Sequence, residues 1–144
     1  MEQRISLITL AVRDMDRAAA FYRALGWQSA DSPDGVIAFD MIGQTLGLYP
    51  RAALAEELGV AEETLGQGAV SLSHNVRSRA DVDTVMSAAE AAGASILKPP
   101  QEVFWGGYHG YFADPEGHIW EVAHNPFSPL SPEGAFRWNG YGGA

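Results

Sequence analysis

FADPEGHIWEV, residues 112–122, reads as one β-hairpin: an apolar strand, an Asp114-Pro115-Glu116-Gly117 turn, and a second apolar strand carrying a single carboxylate, Glu121. Pro115 presets φ for the turn, Gly117 tolerates positive φ, and the Asp114 side chain is placed to accept hydrogen bonds from the turn backbone. The flanking residues are aromatic or branched, as strands prefer. An ionisable group centred in such a strand either faces solvent or lines a cavity, so the orientation of Glu121 decides what chemistry the hairpin supports.

Outward from the hairpin, hydrophobic period and turn residues divide the chain into two similar halves. Residues 5–12 form an apolar strand, Asp14 reads as the N-cap of a helix running to Leu25, and Gly26 stops that helix. Strand patterns follow at 27–30, 35–41 and 44–49, punctuated by Asp34-Gly35 and Ile42-Gly43. Residues 51–66 read as a helical connection, with Glu56, Glu57, Glu62 and Glu63 as its solvated face. The order then recurs: a strand at 69–76, an amphipathic helix at 79–92 with Val82, Val85, Met86 and Ala89 on one stripe, and strands at 94–98, 107–113 and 118–124. Val12-Arg13 precedes a helix ending at Leu25-Gly26, and Val76-Arg77 precedes one ending at Ala92-Gly93, a period of about 65 residues. The fold class is therefore α+β, built from paired β-α-β-β-β modules over about 5–50 and 69–125. The tail, 126–144, is rich in Pro and Gly and carries Phe136, Trp138 and Tyr141.

Composition excludes several functions. Eighteen acidic against nine basic residues give a net charge of −9, opposite to what phosphate neutralisation requires, so neither nucleic acid nor an anionic membrane is an expected partner. Without cysteine there is no disulfide, thiolate metal site or thiol nucleophile. No apolar run reaches the roughly 20 residues of a membrane span, and the first residues lack an export pattern, so a cytoplasmic protein is expected. Phosphate-loop, dinucleotide and Gly-x-Ser-x-Gly motifs are missing.

With LAVRDMDRAAAFYRALGW early and GYFADPEGHIWEVAHNP late, residues 5–125 closely resemble the vicinal oxygen chelate superfamily. This group includes glyoxalase I, bleomycin- and fosfomycin-resistance proteins and extradiol dioxygenases. The resemblance implies a curled mixed sheet around a funnel-shaped cavity, a homodimer, and, in metal-dependent members, four cavity side chains around a divalent ion. Such an ion needs imidazole or oxygen donors and open positions for substrate. Carried over by position, the four sites fall at Leu7, Gly47, Ser71 (or Ala69) and Glu121. Only Glu121 is a ligand type, and same-face neighbours such as Thr9, Thr45, Tyr49 and Ser73 supply no His, Asp, Glu or Gln. The expectation is therefore a protein with no metal and no cofactor that binds a small, partly aromatic organic molecule. The alternative is a metal-dependent lyase, isomerase or dioxygenase of glyoxalase type with Glu121 in its active site.

The candidate ligand-binding residues are Trp105, Tyr108, Glu121, Tyr49 and His109. FWGGYHGYF, 104–112, sets aromatics around a glycine pair, suited to a flat ligand; its structural alternative is core filling by Trp105, Tyr108 and Phe112. Glu121 is read either as a ligand contact or as a carboxylate bonded to neighbouring groups at the cavity mouth. His109 has no fixed side, because the glycine pair upsets strand alternation. His118 and His124 lie on the opposite side from Glu121, and His74 reads as a structural hydrogen-bonding residue.

Overall fold

The computed structural model describes residues 1–30 and 35–141. These divide into two compact units, Met1–Ala69 and Val70–Ala144, each a mixed sheet with helix packed on it, as an α+β chain requires.

In the first unit, β1 (Leu7–Val12) runs parallel to β3 (Thr45–Pro50), and β2 (Ile37–Asp40) pairs antiparallel with β3, giving the order β1-β3-β2. Helix α1 (Met15–Ala24) starts where Asp14 accepts a hydrogen bond from the Arg17 N–H at 2.9 Å. It ends before Gly26, whose φ of +93° few other residues adopt. The helix and one sheet face bury Val12, Ala18, Ala19, Phe21, Tyr22, Phe39, Leu46 and Leu48 to 2% exposure or less. Each large side chain contributes about 1.5–3 kcal/mol of transfer free energy.

The strand expected at 27–30 is reduced to one bridge, Ala30 to Ala38. Trp27 is drawn into the core instead, its ring stacked on Tyr22 at 5.2 Å and tilted against Phe39 at 5.9 Å. Asp34, the first residue of the expected Asp34-Gly35 turn, lies outside the described residues. The connection expected to be helical over 51–66 breaks at Gly59, φ +69°, into α2 (Arg51–Leu58) and a 3-10 turn, Glu62–Thr64. Arg51 fastens the two pieces. Its side chain is only 7% exposed and donates to the carbonyls of Glu62 and Leu65, with the Glu62 carboxylate 3.6 Å away. Glu62 is therefore an ion-pair partner, not part of a free acidic face.

In the second unit the order is β4-β7-β6-β5: β4 (Ser71–Asn75) parallel to β7 (Ile119–His124), then β6 (Tyr108–Ala113) and β5 (Ser95–Glu102) antiparallel in turn. Helix α3 (Arg79–Ala91), capped by Ser78, packs Val82, Met86 and Ala89 onto one face of this sheet. Phe112, Trp120 and Val122 point to that face and are buried. Gly110 sits under the helix, where an added Cβ would lie 2.9 Å from Met86 Cε and 3.0 Å from the Lys98 carbonyl oxygen. Asp114 stitches the β6–β7 turn by accepting from the Glu116 and His118 N–H groups, both at 2.9 Å.

The tail is anchored within this unit. Arg77 donates to the carbonyls of Ser131 (3.0 Å) and Pro132 (2.8 Å), and the Tyr141 N–H returns to Pro129. Ser128 and Ser131 are buried, whereas Trp138 remains 80% exposed.

Candidate functional site

Strand alternation in the second unit assigns opposite duties to successive residues. Val122, Trp120, Gly110 and Phe112 serve α3; Glu121, Ser73, Tyr111 and His109 therefore share the face turned away from it. Register completes the arrangement, because Glu121 lies directly across from Ser73 on β4 and from Tyr111 on β6.

All three neighbours reach the carboxylate. Ser73 Oγ donates to Oε2 at 2.7 Å, Tyr111 OH donates to Oε1 at 3.0 Å, and His109 Nδ1 lies 2.7 Å from the same Oε1. The Glu121 side chain is 19% exposed and that of His109 10%. Burial by itself pushes the Glu121 carboxyl up, but the hydrogen bonds from Ser73, His109 and Tyr111, with the charge of a protonated His109, outweigh it and hold the group below the ordinary carboxylate range. The Tyr111 phenol moves up, first through burial and then through its bond to Glu121. An ionised carboxylate only accepts, so the His109 proton sits on Nδ1 in the neutral ring. The other nitrogen, Nε2, is buried and has no hydrogen-bond partner among the described residues.

Aromatic edges border this pair. Tyr111 meets the imidazole at 5.1 Å between centroids and 70° between planes, and Trp105 at 6.4 Å and 86°. Trp105 folds back across Gly107; a Cβ there would overlap the indole at 1.9 Å, so only glycine admits this conformation.

Of the sequence candidates, Glu121, His109 and Trp105 are thus brought together. Tyr108 faces the other way: its hydroxyl donates to Asp83 on α3 at 2.9 Å, and the Arg79 guanidinium lies 5.7 Å above its ring. Tyr49 belongs to the first unit, opposite Ala11. His74 lies across from Val122 on the α3 side, as its strand parity implies, and burial there lowers its pKa; no side-chain hydrogen bond of it occurs among the described residues. His124 lies on the α3 side of β7, its Nδ1 3.4 Å from the Val76 carbonyl oxygen.

Sequence reasoning singles out neither Ser73 nor Tyr111 as a ligand-binding residue. Counting back from the turn, Ala113 pairs with Ile119 and hence Tyr111 with Glu121, so Tyr111 was open to discovery. Ser73 depends on a pairing across 48 residues that no local pattern reveals.

These residues do not fit the divalent ion of metal-dependent relatives. Both Glu121 oxygens are engaged by side-chain donors. The residue facing Glu121 on the parallel strand is a serine, and the corresponding pair in the first unit is Thr9 and Gly47. Among the described residues, no group of three or more His, Cys, Asp or Glu is placed to hold a metal. A groove of about 330 Å³ lined by Asp83, Met86, Ile96, Pro99 and Pro100 lies on the α3 side, behind the sheet from Glu121. Among the described residues no helix is long and apolar enough to cross a membrane.

Known proteins agree on the family. The profile of the Glyoxalase/Bleomycin resistance protein/Dioxygenase superfamily matches residues 4–122. No curated protein matches the sequence. Among solved structures, the chain is similar to a glyoxalase-related enzyme from Fulvimarina pelagi, with 36% identity, 95% of this chain and 99% of that chain covered, and a TM-score of 0.88. A glyoxalase/bleomycin resistance protein/dioxygenase family enzyme from Burkholderia phytofirmans PsJN shares the fold at 24% identity, coverages of 84% and 98%, and a TM-score of 0.76. So does lactoylglutathione lyase from Agrobacterium tumefaciens, at 24% identity, coverages of 86% and 95%, and a TM-score of 0.66. With the family profile matched over residues 4–122, this chain belongs to the glyoxalase/bleomycin resistance protein/dioxygenase superfamily.

Proposed function

We propose that this protein binds a small, partly aromatic organic molecule at the Glu121 face of its second unit, without the divalent metal that the family's enzymes use. The observation that carries this reading is the hydrogen-bonded set of Ser73, His109 and Tyr111 around Glu121. It is a fixed anionic anchor bordered by the aromatic edges of Tyr111 and Trp105. A few placed polar groups beside aromatic surface suit recognition of a flat ligand. The carboxylate is already satisfied by protein donors, so no metal is needed to neutralise or orient it. A homodimer belongs to the same reading, and light scattering of the purified chain tests it.

Two measurements decide the main claim. Elemental analysis of protein purified without chelator is expected to show no stoichiometric Zn, Ni, Mn or Fe; a full-occupancy metal lost on Glu121→Ala overturns the proposal in favour of a metal-dependent lyase, isomerase or dioxygenase. A thermal-shift screen of aromatic metabolites and antibiotics is expected to yield ligands whose shift falls in Trp105→Ala. A broad panel without a hit overturns binding.

A further inference from the structure

His109 is the least explained residue of the cluster. It is 8% exposed, one ring nitrogen is fixed by Glu121, and the other is buried with no hydrogen-bond partner among the described residues. A buried polar atom left unpaired costs about 1–3 kcal/mol, and folded proteins keep few of them without a use. The carboxylate behind the ring sets its tautomer: Nδ1–H points to Glu121, and Nε2 carries a bare lone pair. The same carboxylate stabilises the positive charge the ring acquires when Nε2 takes up a proton.

Resting on the ligand-binding reading above, we propose that His109 Nε2 is the proton acceptor for a weakly acidic hydroxyl, a phenol or enol, on the ligand. In the bound state the ligand O–H bond breaks and an Nε2–H bond forms. The electron pair stays on the ligand oxygen, leaving a phenolate or enolate beside an imidazolium held by Glu121. No oxidant, metal or second reactant takes part. Titratable neighbours on this face are Glu121, Tyr111 and Lys98, which lies across from Tyr111 on β5; Tyr111 keeps its proton because it donates to the carboxylate. Ser73 supplies the remaining bond to Glu121, and Gln101 lies across from His109 on β5.

Nε2 is closed off in this structure, so the ligand enters by displacing a side chain. Trp105 is the one that swings: it is edge-on to the imidazole and sits on a turn beside Gly106 and Gly107, with φ of +94° at Gly106. The indole then offers its face to the ligand ring.

The test uses 4-nitrophenol, whose phenol and phenolate forms absorb at different wavelengths, and 4-nitroanisole, its methyl ether with no hydroxyl. With wild-type protein, 4-nitrophenol is expected to bind as the phenolate at a pH where the free compound is mostly protonated, and about tenfold or more tightly than the ether. His109→Phe keeps a ring and removes both nitrogens; it is expected to abolish the phenolate band and the preference. Glu121→Gln keeps hydrogen-bonding capacity without the charge and is expected to weaken the band, which guards against a misfolded His109→Phe. Equal binding of both probes, or a phenolate band that survives in His109→Phe, overturns the proton-acceptor role and leaves ligand binding standing. If neither probe binds at millimolar concentration, the role falls together with binding of this ligand class.

Discussion

The two units share a register and differ in what the register carries. In the first, Gly47 lies between Thr9 on its parallel neighbour and Ala38 on its antiparallel one. In the second, Glu121 lies between Ser73 and Tyr111 in the same pattern. Two residues before Ala38 stands Val36; two before Tyr111 stands His109. The faces turned towards the helices are alike in kind, Leu46, Leu48 and Phe39 matching Trp120, Val122 and Phe112 as buried apolar residues. The lesson is a division of labour. One sheet face carries folding in both units, and the other is free to lose polar groups in one unit and gather them in the other.

Removing the centre of the polar face tests that division most severely. Glu121→Ala takes the acceptor from Ser73, Tyr111 and His109 at once, and two of these donors lie in partly buried positions. Allowing for solvent reaching the site, the expected loss is about 2–4 kcal/mol in urea denaturation. Thr9→Ala, at the first unit's counterpart of Ser73, is expected to cost less than about 1 kcal/mol. Equal losses would break the comparison, because the first face would then contribute to stability just as heavily as the second.

The helix-facing side yields the next effect. Gly110 pairs with Val122, whereas the first unit places Ile37 opposite Leu48 at that position. An added methyl at Gly110 meets Met86 Cε at 2.9 Å and, less forgivingly, the Lys98 carbonyl at 3.0 Å. Met86 can bend away and the backbone cannot. Gly110→Ala is expected to destabilise by about 1–3 kcal/mol, read as a lower urea midpoint with unchanged slope.

Most of this architecture was legible in the sequence because it rests on local signals. Alternation marked the strands, the 3.6-residue stripe Val82, Val85, Met86 and Ala89 marked α3, and Gly26 and Gly93 marked helix ends. Asp14, placed by the sequence just before the first helix, caps it. The site was less legible for two physical reasons. First, the partner of Glu121 on β4 is Ser73 and not Ser71, a choice made by pairing between strands 48 residues apart. Second, the glycine pair before β6 hid which way His109 points, so Glu121 read as a carboxylate without a cationic partner although an imidazole lies 2.7 Å from it. At 27–30 alternation alone misleads: the segment keeps one bridge, Ala30 to Ala38, while the Trp27 ring stacks on Tyr22 of the preceding helix.

Acid separates the units by a smaller amount. The folded Glu121 carboxyl lies below its ordinary value of 4.5 because hydrogen bonds and His109 outweigh burial. A depressed folded pKa stabilises fully above the unfolded value and is lost as pH falls from about 4.5 through the lower folded value. Wild-type stability is therefore expected to fall across that window more steeply than that of Glu121→Gln, which has nothing to titrate there. Identical pH profiles for the two proteins would show that the hydrogen-bonded set leaves the carboxylate's proton affinity unchanged.

The smallest effect is expected at the first unit's own centre. A Cβ on Gly47 would stand 3.3 Å from Leu7 Cδ1 and 3.9 Å from Val36 Cγ1. Leu7 is 53% exposed, so its side chain can give way without crowding the core. Gly47 has no positive φ, so alanine fits the backbone and reduces the freedom of the unfolded chain, an effect of about 0.4–1 kcal/mol in its favour. Displacing Leu7 opposes that gain, and the net change for Gly47→Ala is expected within about 0.5 kcal/mol of zero. Ligand shifts measured on the same variant are expected to match wild type, since every residue argued to hold the ligand lies in the second unit. A ligand that binds wild type and fails on Gly47→Ala would overturn the placement of the binding surface on the second unit alone.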